Sequence, residues 1–307
     1  MSQVHAATVP KAQKAQRGGA MEARRTRARR GRRGRRTGRL LPNLAGLAVF
    51  VVVAFPSYWM VSTALKSNTG IFSTTPQFVP TELHWSNFGR AMDRQYFWDS
   101  IRNSLIIGLG AVAASLVIGF LAALAIARFR FYGRRAFFIT IIIVQMIPAN
   151  SLFIPLYLLL NKAHLTDRLL GAGITYLALT LPFTVWLLRG FVAGIPVELE
   201  EAAQIDGCSR MAAFFRIVLP LVAPGLVATS IFSFIQSWNE FLLANVLLTS
   251  EQNRTVSLWL FNFVTLRGTD WTGLMAGSTL VALPAVILFL LLHRRMVSGL
   301  VAGAVKG

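Results

Sequence analysis

Cysteine is nearly absent, with Cys208 the single one in 307 residues. That excludes a disulfide framework within the chain and any cysteine-based metal cluster. Histidine is scarce as well, and His5, His84, His164 and His293 stand at no metal-ligand spacing from one another. Each reads as a surface or interfacial side chain. Charged residues make up only 14% of the chain, against roughly 25% in soluble domains. Acids are the scarcer sign: 12 Asp and Glu face 31 Lys and Arg, for a net charge of +19. No Gly-x-x-x-x-Gly-Lys-Ser/Thr loop is present, so the chain has no phosphate-cradling turn of its own for nucleotide hydrolysis. A nucleophile–base pair and a cofactor loop are missing too, which leaves no catalytic residue to nominate. No internal repeat is visible.

What fills the chain instead is apolar sequence. Hydrophobic residues reach 54% and mean hydropathy is +0.56, with the apolar residues in long blocks between short charged stretches. Six blocks have the roughly 20 residues needed to cross the hydrocarbon core as helices. They fall near Leu41–Leu65, Ser104–Ala127, Ala136–Leu160, Leu169–Phe191, Leu221–Leu243 and Gly273–Leu292. The expected fold is therefore an all-α integral membrane protein with six transmembrane helices. Pro42, Pro56, Pro148, Pro155, Pro182, Pro224 and Pro284 lie in or beside these spans. Kinks are expected there, because neighbouring helices can satisfy the carbonyls that a proline frees.

Charge placement sets the expected topology. Residues 1–39 hold 13 Lys/Arg and one acid, Glu22. The run Arg24–Arg39 has no apolar periodicity and reads as a disordered basic tail, with the membrane domain occupying 40–307. Arginine runs can bind nucleic acid, but nothing aromatic or structured accompanies this one. A cytoplasmic anchor touching anionic lipid is the simpler reading. The tail is also too long ahead of its apolar run for a cleaved signal peptide. With six spans both termini share one side. The tail, Arg128–Arg135, Arg189–Arg216 and His293–Gly307 together carry 23 of the 31 Lys/Arg, which assigns both termini to the cytoplasm.

On the opposite side, Lys66–Arg102 is polar, has Trp85, Tyr96, Phe97 and Trp98 suited to the interface, and includes a short surface helix expected near Trp85–Ala91. With Ser250–Trp271 it offers surfaces for a soluble partner. Trp238-Asn239-Glu240 interrupts the fifth apolar run. A carboxylate at mid-membrane costs about 2.5–3.5 kcal/mol, so Glu240 is expected near the outer end, facing inward. Gln145, Asn150, Gln236, Trp238, Asn239 and Glu240 are the candidate lining of a polar path through the membrane. Each can alternatively bridge neighbouring helices by hydrogen bonding.

The most specific signal is a cytoplasm-facing connector, 196–220. It contains Glu201-Ala202-Ala203, then Gly207, then Ile217, Leu219 and Pro220, in the pattern Glu-Ala-Ala-x3-Gly-x9-Ile-x-Leu-Pro. Pro196 suits the first turn of a helix, where its missing N–H has no partner to lose. Glu198, Glu200 and Glu201 follow at the positive end of the helix dipole. Leu199, Ala202, Ala203 and Asp206 fall at i, i+3, i+4 and i+7, one narrow face on which two alanines let another surface approach the backbone. Gly207 can end the helix in a left-handed conformation. A second helix is expected to carry Met211, Phe214, Phe215 and Val218 on its apolar side.

This loop resembles the one by which membrane subunits of binding-protein-dependent ABC importers dock on their ATPase. The chain from about Leu41 to Gly307 is similar to the carbohydrate-importer branch, of the inner-membrane maltose permease type. The residues carrying the likeness are Asn103-Ser104, Ala125-Ile126-Ala127-Arg128-Phe129 with Gly133-Arg134, Met146-Ile147-Pro148, Ile154-Pro155-Leu156-Tyr157, Leu181-Pro182-Phe183, Trp238-Asn239-Glu240 and the ending Gly303–Gly307. The tail 1–39 has no counterpart in that pattern. The resemblance implies a type I ABC importer transmembrane domain in the cell membrane, moving a mono- or oligosaccharide. Glu201, Ala202, Ala203, Asp206, Gly207, Ile217, Leu219 and Pro220 would couple it to the ATPase. It further implies a second, different permease subunit, two ATPase subunits and an extracytoplasmic solute-binding protein. ATP and magnesium would be used by the ATPase, with no cofactor or metal held here. The loop itself does not distinguish a sugar from a polyol, peptide or amino acid.

Overall fold

The structure, a computed structural model, describes residues 42–266 and 268–304, with 294–304 as backbone only. The basic tail expected at 1–39 lies outside the described residues. By its internal contacts the chain divides at Trp59/Met60. The described part of the first unit, 42–59, lies in helix α1 (Pro42–Ala64). Its Val49, Phe50, Val52 and Val53 side chains are exposed, as a helix facing lipid requires.

In the second unit, four further helices are long and apolar enough to cross a membrane. They are α4 (Phe97–Arg128), α7 (Leu169–Ala193), the continuous segment 210–239 ending in α10 (Leu219–Asn239), and α13 (Trp271–Ala304). The third expected span is broken. It consists of α5 (Arg134–Met146), a 3-10 turn at Ala149–Leu152 and α6 (Phe153–Lys162), bent by 95° at the break. Counted as one span, this pair brings the total to six. The span expected over Ala136–Leu160 is this bent pair, and the kink expected at its prolines is a full break beside Pro148. Pro148 pushes Ile147 to extended backbone (φ −72°, ψ 122°) and supplies no N–H for the ladder.

α4 and α7 form the centre of this unit by close packing. On α4 the buried residues Ala111, Ser115, Gly119 and Ala123 recur every four positions; on α7 Ala172, Tyr176, Thr180, Thr184, Leu188 and Val192 do the same. Small residues on such a stripe let two membrane helices approach closely. The approach is tightest at Gly119, where an added Cβ would lie 2.5 Å from the Thr184 methyl. Thr180 and Thr184 donate their hydroxyls to carbonyls four residues back, at 2.9 Å each, so the stripe carries no unsatisfied polar group there. α10 packs on both helices and on α13. α7, α10 and α13 each continue through a proline: Pro182, Pro224 and Pro284.

Tertiary packing moves two boundaries. The second span starts at Phe97 instead of Ser104, because Phe97 is 4% exposed and packs at a tilt on Trp259 with centroids 5.0 Å apart. Phe97 is thus a core residue; Trp85 and Trp98 remain exposed. The fifth span stops at Asn239, short of Leu243. Glu240 takes an extended conformation and its carboxylate accepts the Leu243 N–H at 2.8 Å, starting α11 (Leu242–Leu247).

The polar segments between spans are tightly tied. After α1 come a one-turn helix, α2 (Asn68–Ile71), and the expected surface helix, α3 (Ser86–Met92), where Asn87 donates to the carbonyls of Ala64 and Lys66 at 2.8 and 2.9 Å. Asn103 donates to the carbonyls of Gln252 and Arg254, and Ser104 accepts the Val256 N–H. Asp167 gathers the N–H groups of Thr249 and Ser250 and the Ser250 hydroxyl. A two-stranded hairpin, β1 (Val264–Thr265) and β2 (Gly268–Thr269), is the one β element among the described residues of a fold otherwise α-helical.

Candidate functional site

The connector after α7 folds into α8 (Glu198–Ile205), with Glu198, Glu200 and Glu201 in its first turn. Its end is a complete Schellman motif. The Gly207 N–H bonds to the Gln204 carbonyl at 3.1 Å and the Cys208 N–H to the Ala203 carbonyl at 2.9 Å. Gly207 sits at φ +89°, the left-handed region expected for it. Ser209 then caps α9 (Arg210–Ala213) by accepting the Ala212 N–H. A π-helical turn at Phe214–Val218 leads into α10 without a break.

The two alanines part company. Ala202 is exposed, whereas Ala203 is buried at 9% and turned toward the chain's own packing. Glu201, Asp206, Gly207 and Pro220 are exposed, and Ile217 and Leu219 are half-buried. The inward side of the second helix is Ala213 and Val218 with part of Phe214. Met211 and Phe215, expected on one apolar side with Phe214 and Val218, are instead exposed. Val197, Leu199 and Ile205, the last 86% exposed, are likewise apolar side chains open to a partner. Ile205 lies between the fixed positions of the pattern, so the pattern does not mark it.

Two ties fix this surface to the membrane helices. Arg128, at the end of α4, pairs with Glu200 of α8 at 2.8 Å, with side-chain exposures of 12% and 20%. The same guanidinium donates to the Ile195 carbonyl at 2.9 Å. Phe120 and Ala123 of α4, Leu188 and Val192 of α7, Ile195 after it, Val218 of the π-helical turn and Val222 of α10 form one buried cluster. α8 is thus a short exposed helix tied to α4 by this ion pair and packed against α9 and the π-helical turn.

A second feature lies at the helix break. A cavity of about 590 Å³ is lined by Gln145, Met146, Pro148, Phe183, Phe232, Gln236 and Glu240, among others. Three of the six polar candidates therefore meet there. Trp238 does not line it: its ring is buried and its Nε1 donates to the Val281 carbonyl, holding α10 to α13. Asn239 bonds back to the Ile235 carbonyl and, like Asn150, is exposed away from the lining. Phe183 and Phe232 stack at 3.9 Å, an apolar face that polar-residue reasoning overlooked. The site has hydrogen-bonding groups and aromatic surface, which suit recognition of a polyhydroxylated ligand.

Residues 115–301 match the family described as binding-protein-dependent transport system inner membrane component. The chain is 44% identical over 270 residues to the diacetylchitobiose uptake system permease protein DasC of Streptomyces coelicolor, covering 88% of this chain and 98% of that protein. It is 33% identical to the arabinooligosaccharides transport system permease protein AraQ of Halalkalibacterium halodurans, covering 85% and 95%. Its fold matches a crystal structure of a bacterial ABC transporter that imports the acidic polysaccharide alginate. There the TM-score is 0.70, identity 23%, and coverage 83% of this chain and 95% of that one.

Proposed function

Since the chain belongs to the binding-protein-dependent transport system inner membrane component family, we propose that it is the membrane-spanning permease subunit of an oligosaccharide importer. Its relatives take up diacetylchitobiose and arabinooligosaccharides, and its own cavity has the amide, carboxylate and aromatic groups such cargo needs. The chain carries no nucleotide-hydrolysing loop, so a separate ATPase pair supplies the energy, alongside a second permease and an extracytoplasmic binding protein. The single observation carrying the coupling role is α8, exposed on its outer face, tied to α4 by Arg128–Glu200 and packed on α9 and the turn that runs into α10.

In this reading both termini and α8 lie in the cytoplasm. The ATPase grips the apolar knobs Val197, Leu199, Ile205, Met211 and Phe215. Movement of the grip tilts the bases of three spans together, and their far ends reshape the cavity beside the broken third span. On the outer side, α3 and the hairpin at 264–269 offer the surface for the binding protein. The cargo is tested by deleting the gene and measuring uptake of labelled oligosaccharides. Loss of oligosaccharide uptake, restored by the intact chain, is expected. Unchanged uptake of every sugar tried, with loss of peptide or amino-acid uptake, contradicts the cargo assignment.

A further inference from the structure

A cavity of about 840 Å³ opens where α4 ends and α5 begins, walled by Ile126, Phe131, Phe138 and Ile139 and carrying Arg134, Arg135 and Arg189. It plays no part in the coupling role of α8 or in the path described above. Its electrostatics are unbalanced. Among the described residues, none of the three arginines pairs with a carboxylate, and Glu200 is already engaged by Arg128. Arg189 lies over the Phe138 ring at 4.8 Å, and its Nε is buried with no hydrogen-bond partner. Arg134 and Arg135 open a helix that has no side-chain cap. Two cations therefore sit against the positive end of the helix dipole, which an anion would relieve.

The geometry points to a site for an anionic phospholipid, its phosphate held by Arg134, Arg135 and Arg189 and the start of an acyl chain lying on Phe138 and Ile139. Basic pockets between membrane helices bind such headgroups. Phe138 stands one helical turn from Arg134, about 6 Å deeper along α5, as a headgroup-to-chain transition requires. Phe129, Phe131 and Tyr132, exposed on the α4–α5 turn, are aromatic side chains of the kind that mark the interface. An acidic segment of a protein partner would have no use for the apolar wall. The site requires membrane insertion and does not depend on the identity of the cargo.

The test is native mass spectrometry of the full-length chain released from membranes containing phosphatidylglycerol and phosphatidylcholine. About 0.5 M salt screens the diffuse contribution of the basic tail. Phosphatidylglycerol should be retained over phosphatidylcholine, falling about fivefold for each charge removed in R134Q, R135Q and R189Q. R189K should retain it, since an ammonium still serves a phosphate, and this separates lost charge from lost packing. Equal retention in the original chain and all three glutamine variants overturns the site. So does retention abolished equally by R189K, or full displacement by millimolar glycerol phosphate, which marks a soluble phosphate as the ligand.

Discussion

Two local features hold α8 in place, the left-handed Gly207 at its end and the Arg128–Glu200 ion pair. Gly207 has no heavy atom within 4 Å of a would-be Cβ, so a substitution there acts on the backbone alone. Gly207→Ala should cost about 1–2 kcal/mol, read as a lower melting temperature with intact insertion. Arg128–Glu200 is largely enclosed, and Glu200→Gln should slow uptake by weakening the tie between α4 and α8. Restoration by the exchange of both partners, Arg128→Glu with Glu200→Arg, would support pairing over a purely local effect. Gly207 was legible because only glycine tolerates that turn. The Arg128–Glu200 pair was not, since its members stand 72 positions apart and each had a sufficient local explanation. Asp167 gives a pH signature. Burial raises its carboxyl, but hydrogen bonds from Ser250, Asn253 and Thr249 outweigh this and leave it below the ordinary 3.8. A depressed carboxylate contributes stability above its unfolded value and loses it as pH falls through the folded one. Asp167→Asn should therefore lower the melting temperature at neutral pH, with the difference closing in acid below pH 3.8.

Among the elements, hydropathy located every span but was blind to direction. It counts apolar residues, and a run broken by 95° at Ile147-Pro148 contains as many as a straight one. The same blindness hid the π-turn at Phe214–Val218 and the extension of α4 to Phe97. Both depend on packing against residues far along the chain. The α4–α7 seam is the element most exposed to a volume change. Gly119→Val should destabilise by about 1–3 kcal/mol through overpacking on Thr184. Adding Thr184→Ser, which removes the clashing methyl, should recover part of the loss in a thermal unfolding assay.

For the whole molecule, the proposed orientation rests on charge alone: the positive-inside count over the sequence assigns 196–220 to the same side as the basic tail and Arg128–Arg135. Cys208, the single cysteine and half-buried beside Arg216, reports on it directly. In cells expressing the chain without its ATPase, an impermeant maleimide should label it only after the membrane is opened. Labelling of intact cells would reverse the topology. The central claim is that α8 transmits the work of a separate ATPase, and the outward residue Ile205 tests it most directly. Ile205→Glu and Glu201→Lys should be inserted normally, lose the ATPase on purification, and abolish sugar uptake. Normal ATPase retention and normal uptake in both variants would contradict the account.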